Sequence, residues 1–208
     1  MWRGKVATAA RAVIPTGFCE LDRALPGGGW PLGAITEILV DGYGIGELGL
    51  LMPALAALTK EDPAKPKKWV AWIAPPFMPY APALQQHGVN IDRVLMIHPT
   101  AGVKSRLWAI EQAVRSGSSA AVLAWVATAN DVILRRLQLA AEEQACWVLL
   151  FRPASARLQR SPAALRVLLS RAREATHLEI VKCRGGRPGV VDVPGFALDV
   201  AASQTSSR

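Results

Sequence analysis

The stretch DGYGIGELGLL at 41–51 is where this 208-residue sequence comes nearest to a recognisable piece of chemistry. It follows a short apolar run and leads into an apolar stretch of helical length. Strand, glycine-rich turn and helix in that order make a phosphate-binding loop. In such a loop the backbone N–H groups cradle the phosphates, a lysine reaches the terminal ones, and a Ser or Thr hydroxyl holds magnesium. Here Gly46 is followed by Glu47 and Leu48, which supply neither group. At an effective dielectric of about 20, two unit charges ~5 Å apart interact by ~3 kcal/mol, so a carboxylate in place of the lysine shifts the balance by ~6 kcal/mol. The loop therefore reads as a vestigial turn. The alternative is that Gly42, Gly44 and Gly46 still form an anion nest without the lysine.

Other candidates for catalysis are weaker. The apolar run AAVLAWV ends near Trp125, and the next carboxylate, Asp131, falls in the following amphipathic stretch, so the acid that nucleotide hydrolysis needs at a strand end is missing. His87, His98 and His177 have no acid or cysteine at metal-ligand spacing, and Ser105, Ser118 and Ser119 lack an elbow motif. Cys19, Cys146 and Cys183 are odd in number and far apart, which argues against a disulfide framework or a zinc site and for a reducing compartment. No catalytic residue, metal, cofactor or small-molecule substrate is expected.

The net charge of +8 is concentrated. Between Arg152 and Arg187 lie nine basic residues, Arg152, Arg157, Arg160, Arg166, Arg171, Arg173, Lys182, Arg184 and Arg187, against only Glu174 and Glu179. Most are arginines, whose planar fork suits phosphate and carboxylate partners. An anionic partner surface is expected there, with DNA a possible occupant. The plainer reading of a residue such as Arg166 or Arg173 is the wet face of a helix. Trp2, with Val6, Ala9, Ala10 and Val13 at helical spacing, marks either an interaction stripe or a helix folded onto its own domain.

These residues need a scaffold. Apolar runs of about five residues alternate with longer amphipathic stretches, the pattern of parallel strands joined by crossover helices in an α/β fold. Strands are expected at 35–40, 69–74, 94–97, 120–126, 147–151 and 178–182. Helices are expected at 48–58, 79–87, 104–115, 129–144 and 162–175. Asn130 can cap the fourth helix, and Ser161-Pro162 the fifth, where Leu165, Leu168 and Leu169 would share one face. A turn through Gly185 and Gly186 precedes an apolar hairpin-like return over 190–200. The reading divides the chain into an N-terminal helix or arm at 1–13, one domain at 14–200 and a frayed tail at 201–208. The longest strongly apolar stretch, 48–58, is too short to span a membrane, and the N-terminus lacks the layout of a signal peptide. A soluble cytoplasmic protein is expected.

Two stretches then carry a family resemblance. IPTGFCELDRALPGGGWPLGAITEI at 14–38 resembles the start of the RecA recombinase core, with its Ile-x-Thr-Gly, Leu-Asp-x-Ala-Leu, Gly-Gly turn and Glu-Ile strand end. The stretch from Trp72 to Pro99 is similar to the next RecA unit, including a Gly-Val-x-Ile-Asp turn. The alignment sets Glu47 at the loop lysine, Leu48 at the hydroxyl residue, Pro76 at the catalytic glutamate and Trp125 at the strand-end aspartate. All four chemical positions have changed. Together with KCRGGRPG at 182–189, this combination resembles the ImuA group of bacterial SOS proteins, relatives of the SulA cell-division inhibitors. The resemblance runs over about residues 10 to 198. It implies a RecA-like three-layer fold with a mostly parallel sheet and a degenerate P-loop. It also implies a non-enzymatic accessory role in damage-induced lesion bypass, with RecA or an ImuB-type polymerase homologue as partner. The competing implication is a SulA-type inhibitor of the tubulin-like division protein FtsZ.

Overall fold

The computed structural model describes residues 12–64, 66–100, 102–171 and 175–194. In chain order the elements are β1 (Val13–Ile14), α1 (Cys19–Ala24), β2 (Trp30–Pro31), β3 (Ile35–Val40), α2 (Met52–Thr59), β4 (Trp69–Ile73) and α3 (Ala81–Gln86). There follow β5 (Val94–Ile97), α4 (Val103–Arg115), β6 (Ser119–Trp125), α5 (Asp131–Gln144), β7 (Trp147–Pro153), β8 (Leu165–Arg171), β9 (Ala175–Cys183) and β10 (Gly189–Pro194). Short 3-10 turns at Gly49–Leu51, Ile91–Arg93 and Ala154–Leu158 lead into or out of them.

The architecture is mixed α/β. Eight strands form one sheet in the order β10-β9-β8-β3-β7-β6-β4-β5, and β1 pairs with β2 in a separate ribbon. From β8 to β5 every neighbouring pair is parallel, whereas β9 and β10 run antiparallel. Central strands are buried along their length, which is why they read as unbroken apolar runs. Alternate residues feed two cores. Val70, Trp72, Leu123 and Leu149 face one, with Leu21 of α1 and Leu55 of α2; Ala71, Ile73, Val122 and Val148 face the other, with Ile110 of α4 and Leu137 of α5. Gly17, at φ +88°, is held by both angle and space: a Cβ there would lie 2.5 Å from Pro53, so glycine lets the segment before α1 press against α2.

The expected strands and the first four helices are present with ends shifted by a few residues. Asn130 caps α5 as expected, its side chain accepting from the Ile133 N–H at 2.9 Å. The expected helix at 162–175 is overturned. Residues 165–171 form β8, paired in parallel with β3 and antiparallel with β9. Leucine spacing and a Ser-Pro start are helical signals, but a strand buried between two others needs no alternation, and β3 requires a neighbour on this side. The turn at Gly185, with φ +83°, leads into β10 as a hairpin with β9. Of the expected N-terminal helix or arm at 1–13, residues 1–11 with Trp2 lie outside the described residues, as do the tail at 201–208 and Arg173, and Val13 belongs to strand β1 and not to a helix. No described helix is long and apolar enough to cross a membrane.

The three cysteines are free and sit in different surroundings. Burial pushes the Cys146 thiol up to about 12, despite an opposing pull from Lys68, and it raises Cys183 as well. Cys19 is exposed. Because the thiolate is the reactive form, a disulfide-exchange reagent at neutral pH will label Cys19 first and Cys146 only after denaturation. Labelling of Cys146 as fast as Cys19 in the folded protein would contradict this packing.

Candidate functional site

The glycine loop leaves the C-terminal edge of β3, and its geometry depends on two backbone angles. Gly44 has φ +83° and Gly46 φ +102°, in the left-handed region that costs glycine little. A Cβ on Gly44 would meet nothing within 4 Å, so the angle, and not crowding, calls for glycine. The N–H groups of Gly44 and Ile45 converge on the Glu47 carboxylate. Gly44 donates to Oε1 at 2.9 Å and to Oε2 at 3.1 Å, and Ile45 donates to Oε2 at 2.9 Å. Glu47 is 4% exposed. Two loop N–H groups, of Gly44 and Ile45 and not of Gly42 or Gly46, thus converge on one anion, a side chain two and three residues along the same loop. On sequence alone this carboxylate weighed only as a repulsive charge; in the folded loop it is also the occupant.

The end of β6 is apolar. Trp125 closes the end of β6, stacked on Phe151 at 4.6 Å between ring centres and tilted against Trp72 at 5.8 Å. Arg106 of α4 donates to the Trp125 carbonyl at 3.2 Å. Burial raises the Tyr43 phenol pKa, Arg106 pulls it down, and Glu47 adds to the rise. Leu48 packs against the core on the α2 side. From the end of β4 the chain passes through Pro75 and Pro76 to Phe77, Met78 and Tyr80, which are 69%, 72% and 73% exposed. These three side chains carry no role in the expectations drawn from the sequence. Large apolar side chains packed among prolines are the signal that those expectations passed over.

The basic segment separates into three groups. Arg152 and Arg166 are not surface residues. Arg152 is fully buried, donates to Glu37 at 3.0 Å and to Gln159 at 2.8 Å, and so cannot face a partner. Arg166 is 4% exposed; its Nε donates to Glu37 at 2.6 Å and its Nη atoms to the carbonyls of Ala156, Arg157 and Gln159. Glu37, fully buried on β3, also accepts from the Ser161 hydroxyl at 2.8 Å. Ser161 thus serves this carboxylate instead of capping a helix. A buried charge must be paired, and β8 sets Arg166 directly beside Glu37 in the sheet register. A glutamate inside ITEILV was the available sequence signal, because a carboxylate amid an apolar run has to find a cation.

The second group is tied at the surface. Arg157 pairs with Glu179 at 2.5 Å, and Arg184 reaches Glu142 at 3.4 Å and the Pro162 carbonyl at 3.1 Å. The third group, Arg160 and Arg187, is exposed. Arg171 lies at the end of β8 opposite Thr176. Among the described residues, no three His, Cys, Asp or Glu side chains gather as metal ligands.

Residues 33–158, more than half of the chain, match the family described as cell division inhibitor SulA. The chain belongs to the SulA family. The comparison with curated proteins yields no match. In this SulA-family protein the matched region begins just before β3 and ends with the turn after β7. It contains Glu37, the glycine loop, the exposed 77–80 segment and Arg152, but not Arg166, Lys182 or Arg184.

Two outcomes follow from the geometry. Replacing Glu47 by Ala orphans the Gly44 and Ile45 N–H groups and should lower unfolding free energy by about 1–3 kcal/mol in a denaturant titration. A stability within error of wild type would mean that those bonds carry nothing. Replacing Glu37 by Ala strands two buried guanidinium groups and should cost about 3–5 kcal/mol by the same measurement. A loss below about 1 kcal/mol would show that the arginines find other counter-charges.

Proposed function

We propose that this protein is a non-enzymatic component of the bacterial response to DNA damage, working in the cytoplasm by docking on a partner protein. The observation that carries this reading is the Glu47 carboxylate held by the Gly44 and Ile45 N–H groups. A triphosphate entering the loop would have to displace that carboxylate and would meet no lysine and no metal-holding hydroxyl at 47 and 48. With Trp125 at the end of β6, a hydrolytic site has lost its acid as well. The loop serves as a self-filled turn on a RecA-like scaffold with a degenerate P-loop.

The role we assign is accessory to lesion-bypass synthesis, with RecA or an ImuB-type polymerase homologue as the partner. Support comes from the RecA-like stretch at 14–38 taken together with the changed loop residues and KCRGGRPG at 182–189, a combination that resembles the ImuA group. The exposed Phe77, Met78 and Tyr80 are a ready apolar anchor for such a protein, since aromatic side chains dominate binding hot spots. The second reading, a division inhibitor acting on FtsZ, is favoured by the family match over 33–158.

Overexpression separates the two. The accessory role predicts an altered damage-induced mutation frequency in cells of normal length, whereas filamentous cells with an unchanged mutation frequency would replace it with division inhibition. For the anchor, Phe77→Ser with Tyr80→Ser should weaken capture of purified RecA or ImuB-type partner about tenfold or more while leaving the melting temperature in place. Unchanged capture by the folded double variant would remove this edge from the interface.

A further inference from the structure

A cleft of about 540 Å³ opens between the start of α5 and the hairpin of β8 and β9, on the side of the sheet where β9 replaces a parallel neighbour. Its wall carries Arg135, Arg160, Arg166 and Lys182 against a single carboxylate, Asp131. Asp131 is already engaged, accepting from Arg135 Nε at 2.9 Å. A larger cleft, of about 610 Å³, lies by the 60–68 loop, but it mixes Lys60, Lys67, Lys68 and Arg93 with Glu61 and Asp62. Cations exceed carboxylates by two in the larger cleft and by three in the smaller.

That charge has a structural origin. Beneath the cleft Glu37 is shared by two buried guanidinium groups, which leaves a positive excess in the interior. Arg166, one of the two, lies next to Lys182 across the β8–β9 pair. Lys182 Nζ donates to the Ser161 carbonyl at 2.6 Å, a neutral acceptor. Burial lowers the Lys182 pKa, and Arg184 and Arg166 lower it further, with Glu37 and Asp131 opposing. An anion beside this lysine opposes those shifts and favours its ammonium form. Arg184 reaches the rim through the Pro162 carbonyl, and Arg160 is exposed on the other wall.

We infer that this cleft binds a backbone phosphate of single-stranded nucleic acid, with Lys182 as its central contact and Arg160 on the flanking phosphate. An ammonium with unused donors gives a point contact, and the arginine forks match the oxygen pairs of a phosphodiester. An open cleft edged by cations suits a polymer with one charge per residue better than an enclosed small anion. Apart from Asp131 and Arg135, the lining side chains named here lie beyond residue 158, so the site is a feature of this chain outside its family match. The inference is independent of which protein partner the exposed apolar edge engages.

The test is fluorescence anisotropy of a labelled oligothymidylate against the full chain, repeated between about 50 and 200 mM salt. Wild type should bind at the low end, with log affinity falling linearly in log salt. Lys182→Gln with Arg160→Gln should flatten that slope by about 1.4, and Arg160→Gln alone, at an exposed position that leaves the fold untouched, by about 0.7. A Lys60→Gln with Lys104→Gln variant, which removes the same charge elsewhere, should keep the wild-type slope. The proposal is overturned if wild type fails to bind at about 50 mM salt. It is also overturned if Arg160→Gln keeps the wild-type slope, or if the Lys60 and Lys104 variant loses as much as the cleft variant. Binding failure here leaves the mutation-frequency result standing, so the two proposals fall separately.

Discussion

A single fully buried carboxylate organises one half of this molecule. Glu37 sits in the middle of β3 and is reached by Arg152 from β7, Arg166 from β8 and Ser161 from the segment between them. Ionised groups leave water only when paired and hydrogen-bonded, so these contacts are a condition of forming the sheet at this point. They place β3 between β7 and β8. They also draw in the 3-10 turn at Ala154–Leu158, whose backbone carbonyls complete the hydrogen bonding of Arg166. One Arg152 donor, Nε, is buried with no partner among the described residues. The network is rich in cations, two guanidinium groups to one carboxylate, and the surface above it inherits the excess.

The glycine loop shows the complementary arrangement, an internal anion meeting internal donors. Gly44 and Gly46 adopt left-handed angles, and the loop offers two N–H groups to one carboxylate. A loop of this kind normally stays open because its ligand comes from outside. Supplying the ligand from residue 47 satisfies the donors permanently and makes the turn a structural part. Trp125 closes the end of β6, stacked on Phe151 and tilted against Trp72. Beyond the end of β4 the chain exposes the large apolar side chains of Phe77, Met78 and Tyr80.

Much of the fold was legible in the sequence because its strongest signals are local. Buried parallel strands read as short apolar runs, and β3 and β5 keep the boundaries that their composition indicates. The helix expected at 162–175 was misread because leucines at three- and four-residue spacing satisfy a helix and a doubly buried strand equally well. Nothing within 162–175 says that Glu37, more than a hundred residues earlier, requires Arg166 beside it. Of the basic cluster, the sequence could count charges but could not sort them. Arg152 and Arg166 turned inward, Arg157 and Arg184 found carboxylates on other elements, and Arg160 and Arg187 remained outside.

The residues by themselves determined the strand–turn–helix order, the glycine positions that permit the loop, and the absence of a lysine and a hydroxyl at 47 and 48. These are properties of a single stretch of chain and need no partner to be read. Only the tertiary structure decided that Glu47 closes the loop from within, that 165–171 is a strand, and which arginines face solvent. Each of those outcomes depends on a charge or a hydrogen bond being satisfied by a group that the fold brings close, and the cost of leaving it unsatisfied exceeds the local preferences that the sequence displays.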